Sequence, residues 1–207
     1  MDRGRLEAFS DGVFAVAITL LALNLTVAGP GHGPLRDQLH WPAFAGYLVS
    51  FLTIGIIWVN HHALVRQIKF VDRTLLFVNQ LLLLFVVLIP FGTATAADYL
   101  PHNSGDARLA MMLYSGIFLG MSVGFGAIFE WTLRGERVYH PLPPEQHWAA
   151  RRRFVGGALV YVIAMAVAVF NALAAFVLIG LVAVYYIFER TPTSPGSPEG
   201  DDEEPVV

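Results

Sequence analysis

Apolar residues dominate this 207-residue chain in six long runs, and short polar or Gly/Pro-containing breakers set their ends. The first run goes from Arg5 to Val27 and stops at Gly29-Pro30-Gly31. The second spans Pro42 to Val65, and the third spans Arg73 to Ala96 with Pro90 inside it, where a kink or an end is expected. A fourth covers Arg108 to Leu133. The fifth and sixth, Phe154–Phe170 and Leu173–Phe188, are separated only by Asn171-Ala172 and read as two short spans joined by a tight hairpin. Each run lies near the ~20 residues a helix needs to cross a bilayer. The pattern predicts an all-α membrane protein, with a six-helix transmembrane unit over residues 1–190 and a tail over 191–207.

Composition supports that reading and orients it. The chain is 56% hydrophobic and only 14% charged, too apolar for an ordinary soluble domain. With the N-terminus cytoplasmic, Arg3, Arg5, Arg66, Lys69, Arg73, Arg134, Arg137, Arg151, Arg152, Arg153 and Arg190 share that side. Only Arg36 and Arg108 face the other. Eleven cations against two favour both termini on the cytoplasmic side of the cell membrane and support an even number of spans. The net charge of −3 is set by the tail, which holds five of the sixteen acids. Without it the body is mildly basic, as suits loops that face anionic lipid. The tail's Pro, Ser, Gly and acids bury little, so disorder is expected there.

Several classes fall away. With no cysteine there is no disulfide and no thiolate metal site. No basic stripe with interleaved aromatics points to nucleic acid. Neither Gly-x-Ser-x-Gly nor His-Glu-x-x-His appears, which weakens hydrolase readings. The chain also lacks a Thr-Val-Gly-Tyr-Gly filter, an acid ladder within its spans and an arginine-rich voltage sensor. The Met1–Arg5 start and the small residues near Ala28 resemble a signal peptide. The length of the first run, Asp11 at its head and the five later runs argue for a retained helix.

Chemistry concentrates at the head of the first run. Arg5, Ser10 and Asp11 sit where a bilayer makes polar groups costly. A helix N-terminus explains Glu7 through the dipole. Asp11 lies deeper and reads as a paired structural or gating group. Arg5 is six residues from Asp11, about 240° around the helix, so the two reach separately toward neighbouring helices. Trp58, Asn60, His61 and His62 cluster near the matching end of the second run. The bland reading is an interfacial indole with polar residues at the helix end. The sharper one is a network in which His61 or His62 meets the Asp11 end of the first run, with Asn79 and Gln80 joining from the third. Adjacent histidines point about 100° apart and lack an i,i+4 partner, so a metal site is not expected.

Farther along the first run, Val16, Thr19, Leu20 and Leu23 share one stripe at three-, four- and seven-residue spacing. Periodicity alone favours helix packing or a lipid face, with Thr19 bonded to a preceding carbonyl. A symmetric ring of these side chains around a pore is the alternative, since apolar constrictions gate by dewetting and hydroxyls replace part of an ion's hydration.

The segment RLEAFSDGVFAVAITLLALNL resembles the first helix of the potassium-channel family called transmembrane protein 175. That family's Arg-x-x-x-Phe-Ser-Asp is matched by Arg5, Phe9, Ser10 and Asp11. WVNHHALV resembles its Trp followed by paired histidines, and VNQLLLLFVVLIPF resembles its Asn-led apolar run ending in Pro-Phe. The last three runs are similar in hydropathy only. The resemblance implies a six-helix, potassium-permeable leak-type channel without a pore loop, whose first helices line the pore. The constriction then falls on Val16, Thr19 and Leu23, with Leu20 adjacent, Val16 being smaller than the family's usual Ile or Leu. Arg5, Ser10, Asp11, Trp58, His61 or His62, and Asn79 become the polar network that holds the helix. A single unit of this kind implies a homotetramer in the lipid bilayer, with potassium the permeant ion and no cofactor.

Two other classes stay open. A secondary transporter or proton-coupled carrier would use Asp11 with His61 and His62, although no internal repeat links runs one to three with four to six. A membrane enzyme or metal carrier would be built on the same three residues.

Overall fold

The computed structural model describes residues 2–27, 29–30, 32, 34, 39–102, 104–134 and 137–188. The tail from 191, and Arg36 and Arg190 of the charge count, lie outside the described residues. The apolar runs fold as six α-helices: α1 (Arg3–Leu23), α2 (Trp41–Arg66), α3 (Arg73–Tyr99), α4 (Gly105–Thr132), α5 (Pro144–Phe170) and α6 (Ala172–Phe188). A 3₁₀ turn, Leu100–His102, comes after α3. The first five helices are long and apolar enough to cross a membrane. The sixth has 17 residues, about 26 Å of rise against a hydrocarbon core of about 30 Å.

Local chemistry places the ends. Asp72 Oδ1 caps α3 by accepting from the Leu75 amide at 2.7 Å, and Ser104 Oγ caps α4 through the Ala107 amide at 3.3 Å. Pro42 and Pro144 occupy the first turns of α2 and α5, where a missing amide proton costs nothing. The break between α5 and α6 is one extended residue, Asn171, whose Oδ1 accepts from the Ala174 amide at 3.0 Å and starts the next helix.

Three expected boundaries change. α1 begins at Arg3 and ends at Leu23, four residues short of Val27, because Asn24 takes the role of C-cap. α3 runs through Pro90 to Tyr99 without a break. α5 starts at Pro144, ten residues before Phe154, so Arg151, Arg152 and Arg153 stand on a helix and not in a loop. Arg151 makes a two-pronged pair with Glu130 of α4, at 2.8 Å from Nε and 2.6 Å from Nη2.

The bundle is built around α3 and α4. Half of α4's apolar stretch and 44% of that of α3 are buried, against 28% for α1. Glycines on α4 permit the close approach. A Cβ at Gly124 would stand 2.9 Å from the Leu82 Cα, and one at Gly120 would collide with the Phe85 ring. Small residues of this kind let helix backbones meet in a bilayer, where packing and not water exclusion drives association. Ser50, Thr93 and Tyr114 add a buried hydroxyl cluster across α2, α3 and α4, with both side-chain contacts at 2.7 Å. α1 packs chiefly on α2 and α3, α5 packs on α4, and α6 closes against α5, α2 and α4.

The α2–α3 and α4–α5 connections meet at one end of the bundle. They join as an isolated antiparallel bridge at Ile68 and Val138. The Lys69 amide donates to the Arg137 carbonyl at 2.9 Å, and the Tyr139 amide to that of Gln67 at 2.8 Å. Trp131 secures the junction by donating to Asp72 Oδ2 at 3.2 Å beneath the Arg137 guanidinium.

Candidate functional site

α1 has two faces with different fates. Leu6, Ser10, Phe14, Ala17 and Leu21 recur at helical spacing and are buried against α2 and α3. The opposite face is uncovered: Val16 is 55% exposed, Leu20 37% and Leu23 70%, with Thr19 exposed among them. Thr19 donates its hydroxyl to the Val16 carbonyl at 2.8 Å, leaving its oxygen lone pairs outward.

The polar head of α1 is tied down by a donor chain with one consistent direction. His61 Nε2 donates to Asn79 Oδ1 at 2.8 Å, Asn79 Nδ2 donates to Ser10 Oγ at 3.0 Å, and Ser10 donates to the Leu6 carbonyl at 2.9 Å. All three side chains are buried, so each bond satisfies a group that water does not reach. The chain of donors puts the His61 proton on Nε2, and its Nδ1 has no hydrogen-bond partner among the described residues. Phe14 covers the imidazole at 5.4 Å between ring centroids.

A second set lies beside it, half-exposed. Trp58 Nε1 donates to Asp11 Oδ1 at 2.9 Å, and the Trp58 ring lies against His62. His62 Nδ1 approaches Glu7 Oε1 to 3.1 Å without hydrogen-bond alignment. Glu7, Asp11 and His62 thus bring ligand atoms within 4.8 Å of one another, a donor set able to hold a divalent ion. Asp11 is engaged by Trp58, and Glu7 faces His62.

Ser10, Asp11, Trp58, His61, His62 and Asn79 are therefore gathered at one end of α1, with the histidines divided between two partners. His61 reaches Ser10 through Asn79, and His62 stands at Glu7 and Asp11. Gln80 is exposed outside the network. Arg5 is outside it too. It is exposed, makes no hydrogen bond or ion pair among the described residues, and lies within about 20° of the line of Val16 and Leu23. The arginine that ties α1 to the bundle is Arg3, which donates to the carbonyl of Arg66 at 2.9 Å and reaches that of Ile68 at 3.5 Å. Sequence patterning missed Arg3 because its acceptors are backbone carbonyls, which leave no mark on composition. Glu7 was legible as a dipole acid, and its spacing of four from Asp11 is the signal that the two share a face.

Comparison with known proteins converges on one group. The profile of the family described as endosomal/lysosomal potassium channel TMEM175 matches residues 5–90. A potassium channel of Streptomyces collinus is 40% identical over 195 residues, covering 92% of this chain and 94% of that protein. The endosomal/lysosomal proton channel TMEM175 of Gallus gallus is 32% identical over 153 residues, which is 68% of this chain and 30% of that one. The crystal structure of a lysosomal potassium-selective channel TMEM175 homologue from Chamaesiphon minutus superposes with a TM-score of 0.77 at 33% identity. That match covers 89% of this chain and 96% of the other.

Proposed function

The chain belongs to the TMEM175 family of potassium channels, multi-pass membrane proteins, and on that premise we propose that it is a potassium-permeable, leak-type cation channel. The conducting unit is a homotetramer in the cell membrane, with α1 lining the pore and both termini cytoplasmic. One observation carries the reading: the stripe of Val16, Thr19, Leu20 and Leu23 faces away from the body of its own chain. A single helix encloses nothing, so the stripe makes a pore only when symmetric copies bring it to a common axis. Val16 and Leu23, about 10 Å apart along α1, then form apolar rings that close the path by dewetting. Thr19 lies between them and offers hydroxyl oxygens to a partly dehydrated cation. The Ser10–Asn79–His61 chain holds the helix and does not bind the ion, since it is buried and its oxygens are already engaged in hydrogen bonds.

The eleven-to-two cation asymmetry supports the orientation, with Arg3 and the α2–α3 and α4–α5 connections on the cytoplasmic side. The test is potassium and sodium flux into liposomes, with oligomer size measured in detergent. Val16→Ser or Leu23→Ser raises conductance or loosens potassium preference. Unchanged flux after both replacements removes the pore from this helix, and a monomer in detergent makes the ring untenable.

A further inference from the structure

The outer end of α1, opposite the Ser10 network, has a fastening of its own. α1 stops at Leu23, and the C-cap Asn24 turns its side-chain amide inward to donate to the Pro90 carbonyl of α3 at 2.9 Å. The bond is part-buried and bridges residues 66 apart in sequence. α1 is thus pinned to the same helix twice: Ser10 to Asn79 at one end and Asn24 to Pro90 at the other, about 21 Å apart along α1. Val16, Thr19, Leu20 and Leu23 all lie between the two pins.

The acceptor belongs to a stiff segment. One turn beyond Pro90, Thr93 Oγ1 meets Ser50, which meets Tyr114, each at 2.7 Å and buried. A Cβ at Gly92 would stand 2.6 Å from Ile117 Cδ1 and touch Tyr114, so this level of α3 lies close on α4. Asn24 therefore links α1 to a part of the bundle fixed by three helices. The described residues just past Asn24, Leu25 to Val27, are not helical, and Leu23, 70% exposed, is its immediate neighbour.

We infer that Asn24 is a positioning residue of the pore, its amide holding the outer end of α1 against the Pro90 carbonyl and so setting how far Leu23 projects toward the axis. The inference rests on α1 being the pore helix and deepens that reading. Loss of the bond leaves the outer end of α1 held by the apolar packing of Leu21 without a polar tie. The outer end then tilts, and the Leu23 ring loses its fixed width.

Asn24→Asp tests this with little change of shape. At neutral pH the carboxylate cannot donate to the carbonyl, so the full-length channel in liposomes should lose potassium-over-sodium preference by about threefold, the factor that an average interhelical hydrogen bond within a bilayer amounts to. Acidifying the outer side to about pH 4, near the ordinary Asp range, restores an O–H donor and should return the ratio toward that of the unmutated channel. His40, Asp98 and His102 line the same outer cleft in both proteins, so the unmutated channel is the baseline at each pH. Asn24→Gln keeps a donor and should retain part of the preference, and Asn24→Ala should lose it at every pH.

An unchanged ratio in Asn24→Asp overturns the inference, as does an altered ratio that acid does not repair. Loss of the oligomer in both Asn24→Asp and Asn24→Ala would assign the bond to assembly and also overturn it. Val16→Ser and Leu23→Ser run in parallel. If they alter flux and Asn24→Asp does not, only this inference fails; if they too are silent, the pore assignment fails with it.

Discussion

Asn79 is a small residue whose removal should hurt the fold out of proportion to its size. It is 1% exposed, accepts from His61 Nε2 at 2.8 Å and donates to Ser10 Oγ at 3.0 Å, joining α1, α2 and α3 through one side chain. Asn79→Ala deletes both bonds. Interhelical hydrogen bonds within bilayers average about 0.6 kcal/mol, so the two together account for about 1.2 kcal/mol. The larger effect is on His61, whose Nε2 proton is left buried without an acceptor, at a cost of about 1–3 kcal/mol. Since His61 Nδ1 has no partner either, the imidazole would then stand buried with neither nitrogen bonded. The expected destabilisation is about 2–4 kcal/mol per chain. Ser10→Ala should cost less, because the His61–Asn79 bond survives it. Reversible unfolding in mixed detergent micelles, followed by far-UV circular dichroism, measures both, and the double variant completes a cycle. Its coupling energy should be about 0.6 kcal/mol and no more than about 1.7 kcal/mol. Strict additivity of Ser10→Ala and Asn79→Ala would show that the donor chain is not energetically real, and the account of how α1 is held would fall with it.

The packing sets three other outcomes. Gly124→Val should destabilise the fold by about 1–3 kcal/mol in the same unfolding assay, since even a Cβ there would stand 2.9 Å from the Leu82 backbone. Tyr114→Phe removes one hydroxyl from the buried cluster while Ser50 keeps Thr93, so a loss of about 0.6–1.7 kcal/mol, the range of intramembrane hydrogen bonds, is expected. Arg3→Gln should lower the unfolding midpoint and Arg5→Gln should not, because only Arg3 bonds to the bundle within one chain; equal effects would contradict that division.

Helix number and order were readable because apolar runs of near-membrane length have few rivals as structures in lipid. The ends were less readable, for reasons specific to each. Pro90 should break a helix by its lost amide bond, yet α3 passes through it because its neighbours Ile89, Gly92 and Thr93 are buried against the rest of the bundle, which holds the segment helical. α5 extends back to Pro144 because a helix continues into the interface, where Arg151 finds Glu130, and hydropathy stops counting there. The break at Asn171 was visible by contrast, since Asn is the one polar residue in a long apolar stretch and its side chain caps the start of α6.

The site was legible by residue type and depth, and illegible in its pairings. Polar groups in the head of an apolar helix announce that partners exist, and Trp58, His61, His62 and Asn79 were recognisable as those partners by lying at the same end of their own helices. Which histidine meets the acids and which meets Asn79 depends on helix rotation, and an error of one residue turns a side chain by about 100°. That rotation is fixed by Phe14 and Ala17 packing on the bundle, so the apolar face of α1 decides the pairing of its polar head. The same rotation decides the fate of Arg5. Had α1 been turned by one residue, Arg5 would have come to a neighbouring helix and Val16 would have left the exposed line. Burying Leu6, Ser10, Phe14, Ala17 and Leu21 therefore does two things at once: it assembles the network that holds the helix, and it leaves the stripe of Val16, Thr19, Leu20 and Leu23 facing out of the chain. A substitution on the buried face that rotated α1 would break both together, whereas one on the stripe would touch only the second.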